Sequence, residues 1–97
     1  MKNEVPTRKR IHLFVTGKVQ GVGFRAFVQQ TAKRFGLTGW VRNVGYSQVE
    51  AVAEGDPDLL SIFLEAVRTG PRSSRVDELD LTWEIRLEGF EKFEIRY

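Results

Sequence analysis

The sequence predicts an α+β protein, a two-layer sandwich in which two helices cover one face of an antiparallel sheet. Apolar residues alternate with polar ones in several short segments, as in strands, and recur at spacings of three and four in two longer ones, as in helices. The order is strand, helix, strand, strand, helix, strand, and right-handed crossovers place both helices on the same face of the sheet. A short segment at the end of the chain predicts a further strand.

The first half of the chain supplies three strands and one helix. Strand alternation covers residues 11–16, and helical spacing covers residues 23–35, where Gly36 provides a common stop signal. A second strand is predicted over residues 38–44 and a third over residues 48–54. The turn between these two strands is so short that they must be antiparallel neighbours.

The second half supplies the other helix and the last strands. Asp56 is suited to cap the second helix and Pro57 to occupy its first position, and Gly70-Pro71 ends it. A long strand is predicted over residues 76–87 and a short one over about residues 92–96. The residues of the long strand that we expect to face inward are Leu79, Leu81, Trp83 and Ile85.

Composition excludes several classes of protein. The chain has 97 residues, seven of them Phe, and this is enough for one hydrophobic core. It has no cysteine, so a disulfide framework, a thiol nucleophile and a zinc–thiolate site are excluded. No apolar run has the length of a membrane span or a signal core. We therefore expect a cytoplasmic monomer without membrane contact, with a flexible basic tail over residues 1–9 and a single domain over residues 10–97.

The charge is unevenly distributed between the two parts of the chain. Residues 1–42 contain nine Lys or Arg and one acidic residue. Residues 43–97 contain six Lys or Arg and twelve acidic residues. A basic half could attract a small acidic substrate or a nucleic acid, but solvated surface charge is the more common explanation. The charge alone therefore does not identify a function.

The segment from Gly17 to Arg25 connects the first strand to the first helix. Three glycines, at 17, 21 and 23, allow backbone conformations and close approaches that a side chain would prevent. The helix lacks a Ser, Thr, Asp or Asn at its start, so its first N–H groups need another acceptor. An oxyanion would satisfy them, and Arg25 would add a planar guanidinium suited to phosphate.

The segment from Gly17 to Arg25 also matches, in part, the patterns of other loops. On local geometry alone, an ordinary glycine-rich turn with a surface arginine is more common. The residues from Gly21 to Ala26 also fit the dinucleotide pattern G-x-G-x-x-A, but the second strand ends at Arg42-Asn43-Val44 without the acidic residue that would hold a ribose. A Walker phosphate loop is excluded because no Gly-Lys-Ser/Thr follows.

Few other side chains offer catalytic chemistry. His12 is the only histidine and has no metal partner in sequence, so we expect it to be structural. Ser73 and Ser74 have no adjacent base and are expected to be loop residues. Asn43 shares a strand face with apolar Val41, where its amide needs hydrogen-bond partners.

Two motifs make the sequence resemble the acylphosphatases. The first is Gly17-x-Val19-Gln20-Gly21-Val22-x-Phe24-Arg25, and the second, at the distance expected for that family, is Gly39-Trp40-Val41-Arg42-Asn43. Similarity extends along nearly the whole chain to Phe93-Glu94-Ile95-Arg96-Tyr97. Two motifs at this distance are far more specific than a lone glycine repeat.

The resemblance implies a ferredoxin-like fold in which the last strand is an extra edge strand of the sheet. It also implies a hydrolase that cleaves the carboxyl–phosphate bond of small acyl phosphates. It implies no metal and no cofactor. It also implies that Asn43 orients the attacking water and that the phosphoryl group is held by Arg25 and by the backbone amides of Gln20, Gly21, Val22, Gly23 and Phe24.

Two alternatives stay open at this point. One is a non-catalytic ferredoxin-like module that binds RNA or a phosphorylated ligand, since this fold hosts many functions. We expect no nucleic-acid partner, because the sheet strands lack a recognisable basic and aromatic RNA-binding motif. The other is the acylphosphatase-like domain found at the start of larger hydrogenase-maturation proteins, and a chain ending at Tyr97 makes us expect a free-standing protein instead.

Overall fold

The computed structural model describes residues 7–97, which form one five-stranded sheet and two helices. The strands lie in the spatial order β4-β1-β3-β2-β5. The elements are β1 (Lys9–Lys18), α1 (Phe24–Arg34), β2 (Thr38–Val44), β3 (Gln48–Gly55), α2 (Pro57–Thr69), β4 (Arg75–Glu84) and β5 (Phe93–Arg96).

The predicted fold class is confirmed, and the last strand makes the sheet mixed rather than wholly antiparallel. The pairs β1–β3, β1–β4 and β2–β3 are antiparallel, whereas β5 runs parallel to β2. The reason is the path of the chain. β4 ends with Glu84 beside Arg10, near the start of β1, and residues 85–92 cross that end of the sheet to bring Phe93 beside Gly39. β5 therefore enters the sheet in the same direction as β2.

A single apolar core lies between the helices and the sheet. Alternate residues of β1, β2 and β3 point into it, and each helix contributes one stripe of side chains. The fully or nearly fully buried apolar residues of this core include Ile11, Leu13, Val15, Val28, Val41, Val49, Ala51, Leu60, Phe63 and Val67. The packing fixes the relative positions of β1, α1 and β2, the three elements that border the glycine-rich segment.

Local signals set the ends of both helices as predicted. The side chain of Asp56 accepts a hydrogen bond from the backbone N–H of Asp58 at 2.8 Å, and Pro57 is the first residue of α2. After α1, Gly36 has a φ of 68°, which a residue with a side chain rarely adopts.

The prediction for β4 was too long. The strand ends at Glu84 instead of residue 87, because its pairing with β1 ends there and the chain leaves the sheet. Leu79 and Leu81 are partly buried against the core as expected. Trp83 pairs with buried Ile11 and so lies on the core face as predicted, although it is 42% exposed. Ile85 lies beyond the strand and is 87% exposed, so the prediction that it faces inward was wrong. Both lie at or beyond the end of an edge strand, where few atoms cover them.

The predicted basic tail lies largely outside the described residues, because residues 1–6 are not part of the described structure. The last residue of the predicted tail, Lys9, is the first residue of β1 and pairs with Gly55.

A buried carboxylate holds the crossing segment to the sheet. Glu54 has no exposed surface, and its carboxylate accepts hydrogen bonds from the backbone N–H groups of Glu88 at 2.7 Å and Gly89 at 3.0 Å. Arg10 donates to the same carboxylate at 3.2 Å. Burial alone would raise the pKa of Glu54, but these hydrogen bonds and the Arg10 charge outweigh it and lower the pKa below its ordinary value.

We expect Glu54→Gln to lower the free energy of unfolding at neutral pH by about 3 kcal/mol, since it removes the charge from a buried pair. A carboxyl whose pKa is lowered in the folded state stabilises that state above its unfolded pKa of about 4.3. This contribution is lost as the pH falls through the folded pKa, so the difference between wild type and variant should shrink in acid. Urea denaturation between neutral and acidic pH measures it. Glu91→Gln, a change to an exposed carboxylate of the same segment, serves as the control.

Candidate active site

The glycine-rich loop, residues 19–23, joins β1 to α1 with two left-handed glycines. Gly21 has a φ of 74° and Gly23 a φ of 76°. A β-carbon built at either position would meet no atom within 4 Å, so the requirement for glycine is conformational rather than steric. These two glycine conformations direct the backbone from the loop into the start of α1.

The start of α1 has free amide donors. Gly23 is the N-cap residue and, within the described part of the chain, no side chain caps the helix. The first helical hydrogen bond runs from the N–H of Phe27 to the carbonyl of Gly23 at 3.0 Å. The N–H groups before Phe27 are therefore available to an acceptor from outside the helix, where the helix dipole favours negative charge.

A cavity of about 200 Å³ lies at this end of α1. Among residues 7–97, Arg25 is the only charged side chain that lines it, so this lining favours an anion. The lining residues are Val19, Gly21, Gly23, Phe24, Arg25, Ala26, Asn43, Ile95 and Tyr97. The structure thus brings Arg25, Asn43 and part of the loop around one space, although Arg25 and Asn43 are 18 positions apart in the sequence.

Arg25 is half-buried on the first turn of α1. Its guanidinium carbon lies 4.7 Å from the centre of the Tyr97 ring, a contact that holds the cation without occupying its N–H donors. Within residues 7–97, Arg25 forms no ion pair with a carboxylate side chain. Its donors therefore remain free to bind an oxyanion in the cavity.

Asn43 presents a buried acceptor that the described residues do not satisfy. Its strand face is the one that carries buried Val41, as predicted, and its Oδ1 atom is buried without a hydrogen-bond partner in residues 7–97. Leaving such an atom unpaired costs about 1–3 kcal/mol. Because Asn43 lines the cavity, a donor bound there, such as a water molecule, would satisfy it.

Gln20 and Val22 do not line the cavity. Val22 packs against the hydrophobic core. The side-chain amide of Gln20 instead donates to backbone carbonyls of the turn between β2 and β3, including Gly45 and Gln48 at 3.0 Å each. The sequence did not indicate this contact, because it joins parts of the chain that are more than twenty residues apart.

The remaining candidates have structural partners away from the cavity. His12 Nε2 lies 2.6 Å from the Glu50 carboxylate, which also accepts from Arg42 Nε at 2.8 Å. Burial opposes ionisation of Glu50, but the hydrogen bonds from His12 and Arg42 outweigh it and lower the pKa of this carboxyl. Ser74 Oγ donates to the carbonyl of Pro71 at 2.7 Å. None of these side chains lines the cavity.

Two cavity residues, Ile95 and Tyr97, were not predicted as site residues. They reach the cavity because β5 pairs with β2, so the end of the chain lies beside Asn43 and α1. In the part of the chain that the structure describes, no three His, Asp or Glu side chains gather where they could hold a metal ion. No helix of residues 7–97 is long and apolar enough to span a membrane.

The fold and the cavity define a small α+β protein with a cavity suited to an oxyanion, lined by residues of a glycine-rich loop, an arginine and an asparagine. The family model of the acylphosphatases matches residues 11–95, and the chain belongs to that family. The family predicted from the two motifs is thereby confirmed, and with it the enzyme class, a hydrolase of acyl phosphates.

Individual relatives agree with this assignment. The chain is similar to the acylphosphatase of Salinibacter ruber, with 45% identity over 93 residues that cover 96% of this chain and 98% of the relative. The crystal structure of the Bacillus subtilis acylphosphatase has a TM-score of 0.89 and 43% identity, and the match covers 92% of this chain and 99% of that one. Full-length HypF, solved in a phosphate- and nucleotide-bound form, matches with a TM-score of 0.86 and 27% identity. That match covers 99% of this chain but only 13% of HypF.

Proposed function

We propose that the cavity holds the phosphoryl group of a small acyl phosphate and that Asn43 orients the water that attacks it. Of the predicted backbone amides from Gln20 to Phe24, those of Gly21, Gly23 and Phe24 belong to residues that line the cavity, and with the guanidinium of Arg25 they bind the phosphoryl oxygens. The observation that supports this most strongly is the joint lining of one cavity by the cationic donors of Arg25 and by a buried Asn43 acceptor that has no hydrogen-bond partner in residues 7–97.

The reaction follows from the position of the two groups. With the phosphoryl oxygens held, water bound to Asn43 Oδ1 attacks phosphorus, the bond between phosphorus and the acyl oxygen breaks, and a carboxylate leaves with the bonding electrons. The water's proton passes to a phosphoryl oxygen of the substrate. The carboxylate is a good leaving group, so positioning and charge stabilisation carry the catalysis without a protein nucleophile.

The site is small and takes the phosphoryl end of its ligand. A volume of about 200 Å³ lies below the usual range for a drug-sized ligand, about 300–1,000 Å³. The acyl group of the substrate therefore extends out of the cavity toward solvent. The alternative, a module that binds RNA or a phosphorylated ligand without turnover, has no support from the comparisons.

Inorganic phosphate is expected to inhibit competitively and to stabilise the fold, because it occupies the same cradle as the phosphoryl group. At ten times its Kd, phosphate should add about 1.4 kcal/mol to the free energy of unfolding by mass action. For a chain of this size, that corresponds to a rise in Tm of about 6–11 °C. Thermal melts at increasing phosphate, with sodium chloride at matched ionic strength as the control, measure the shift. An unchanged Tm across millimolar phosphate would contradict the cradle.

A further inference from the structure

The side chain of Gln20 bridges the glycine-rich loop and the turn that follows Asn43. Its Nε2 atom lies 3.0 Å from the carbonyl oxygens of Gly45 and Gln48 and 3.4 Å from that of Val44. Gln20 is only half-buried, so its main contribution is these hydrogen bonds rather than the burial of apolar surface. All three acceptors belong to the backbone of the β2–β3 hairpin.

The Gln20 hydrogen bonds lie just beyond the end of the pairing between β1 and β3. Pairing between β1 and β3 stops at Thr16 and Gln48, and the next link is the hydrogen bond from the Gly17 N–H to the Ser47 carbonyl at 3.0 Å. Beyond Gly17 the chain turns away to form the loop. Within residues 7–97, the Gln20 amide makes the only hydrogen bonds between residues 19–23 and residues 43–48.

We propose that Gln20 is a positioning residue that sets the distance between the phosphate cradle and the water held by Asn43. The amide binds the carbonyl of Val44, the residue next to Asn43, and Gln20 directly precedes Gly21, which lines the cavity. A shift of the hairpin relative to the loop would move the water out of line with phosphorus while leaving the cradle intact. This inference rests on the proposed roles of Arg25 and Asn43.

The chemistry of the contact explains why the residue is glutamine. A neutral amide supplies two N–H donors to a group of carbonyl oxygens, whereas a glutamate of the same length would place a carboxylate against them. Asparagine is one carbon shorter, so its amide would fall short of the hairpin. The contact with the hairpin carbonyls therefore needs both the side-chain length and the N–H donors of glutamine.

The first test compares Gln20→Met with Gln29→Met. Gln20→Met keeps the length of the side chain but removes its N–H donors. We expect kcat for benzoyl phosphate to fall about 10- to 100-fold, since a misplacement of a reacting group by about 1 Å lowers the rate by that order. The Ki of inorganic phosphate should stay within about twofold of wild type, because the cradle is unchanged. Gln29 is the matched control. It is also half-buried, and its Nε2 donates to the carbonyl of Phe93 at 3.1 Å, away from the loop. Its variant should keep wild-type kcat.

The second test combines Gln20→Met with Asn43→Ala. If Gln20 acts through Asn43, adding Gln20→Met to Asn43→Ala should lower kcat by less than about twofold. An effect as large as in the wild-type background, or a phosphate Ki that rises as much as kcat falls, would overturn the positioning role. Normal turnover of Asn43→Ala alone would instead overturn the proposed function. Should Gln20→Met not fold, Gln20→Asn takes its place, with the same expected and contradicting results.

Discussion

Replacing Asn43 with alanine is expected to lower kcat about 10²- to 10³-fold while the affinity for inorganic phosphate stays near wild type. In the proposed mechanism the amide contacts the attacking water and not the phosphoryl oxygens, so its loss should affect the transition state far more than ligand binding. Folding should not suffer. Because Asn43 Oδ1 forms no hydrogen bond to residues 7–97, its removal breaks no contact among them, and the Tm should stay near that of wild type.

Measuring kcat, the phosphate Kd and the Tm on one preparation distinguishes a role of Asn43 in orienting water from a structural role. A structural amide would cost about 1–3 kcal/mol of stability when removed, but the folded fraction would turn over normally. Thr38→Val is the matched control, since Thr38 Oγ1 is another buried atom without a partner in residues 7–97, at the opposite end of β2. It should leave kcat unchanged. Normal turnover in Asn43→Ala would remove Asn43 from the mechanism.

Replacing Arg25 with glutamine is expected to lower kcat/KM by about 10³-fold or more and to weaken phosphate binding as well. In the proposed mechanism Arg25 touches the phosphoryl group in both the bound and the transition state, so kcat/KM and phosphate affinity should both change, in contrast to Asn43→Ala. Arg25→Lys should also be severely impaired, because a single ammonium cannot reproduce two parallel hydrogen bonds to phosphoryl oxygens. Phosphate should no longer raise the Tm of either variant.

The control for Arg25 is a second arginine on the same helix. Arg34 lies exposed in the last turn of α1 and does not line the cavity, so Arg34→Gln removes the same charge from the chain without touching the site. It should retain wild-type kcat/KM and the full thermal shift with phosphate. If Arg25→Gln still shows that shift, the anion binds elsewhere than proposed.

Local sequence signals were enough to predict the elements around the site. Three of these signals are local: the left-handed glycines at 21 and 23, the glycine stop after α1 and the Asp56 cap. Each depends on the conformation of a few neighbouring residues, which the residue types at those positions favour directly. The unusual feature of Asn43, a polar residue on the core face of β2, was likewise visible from strand alternation.

Long-range geometry could not be read in the same way. The parallel pairing of β5 with β2, which brings Tyr97 to Arg25, depends on which edge of the sheet the chain reaches after β4. The bridge made by the Gln20 amide depends on the distance between two turns. The exposure of Trp83 follows from the limited cover over the end of an edge strand. The spacing of residues along the sequence determines none of these three features.

Hydrolysis of benzoyl phosphate in water enriched in oxygen-18 and containing EDTA tests the proposed mechanism most directly. Attack on phosphorus by a water held at Asn43 predicts turnover well above an enzyme-free control, with the heavy oxygen in inorganic phosphate and none in benzoate. Because the chain's own side chains position the water and neutralise the phosphoryl group, the rate should be the same with and without the chelator. Label in benzoate would place the attack on the carbonyl carbon, and a rate equal to the enzyme-free control would deny catalysis. Either result would contradict the mechanism.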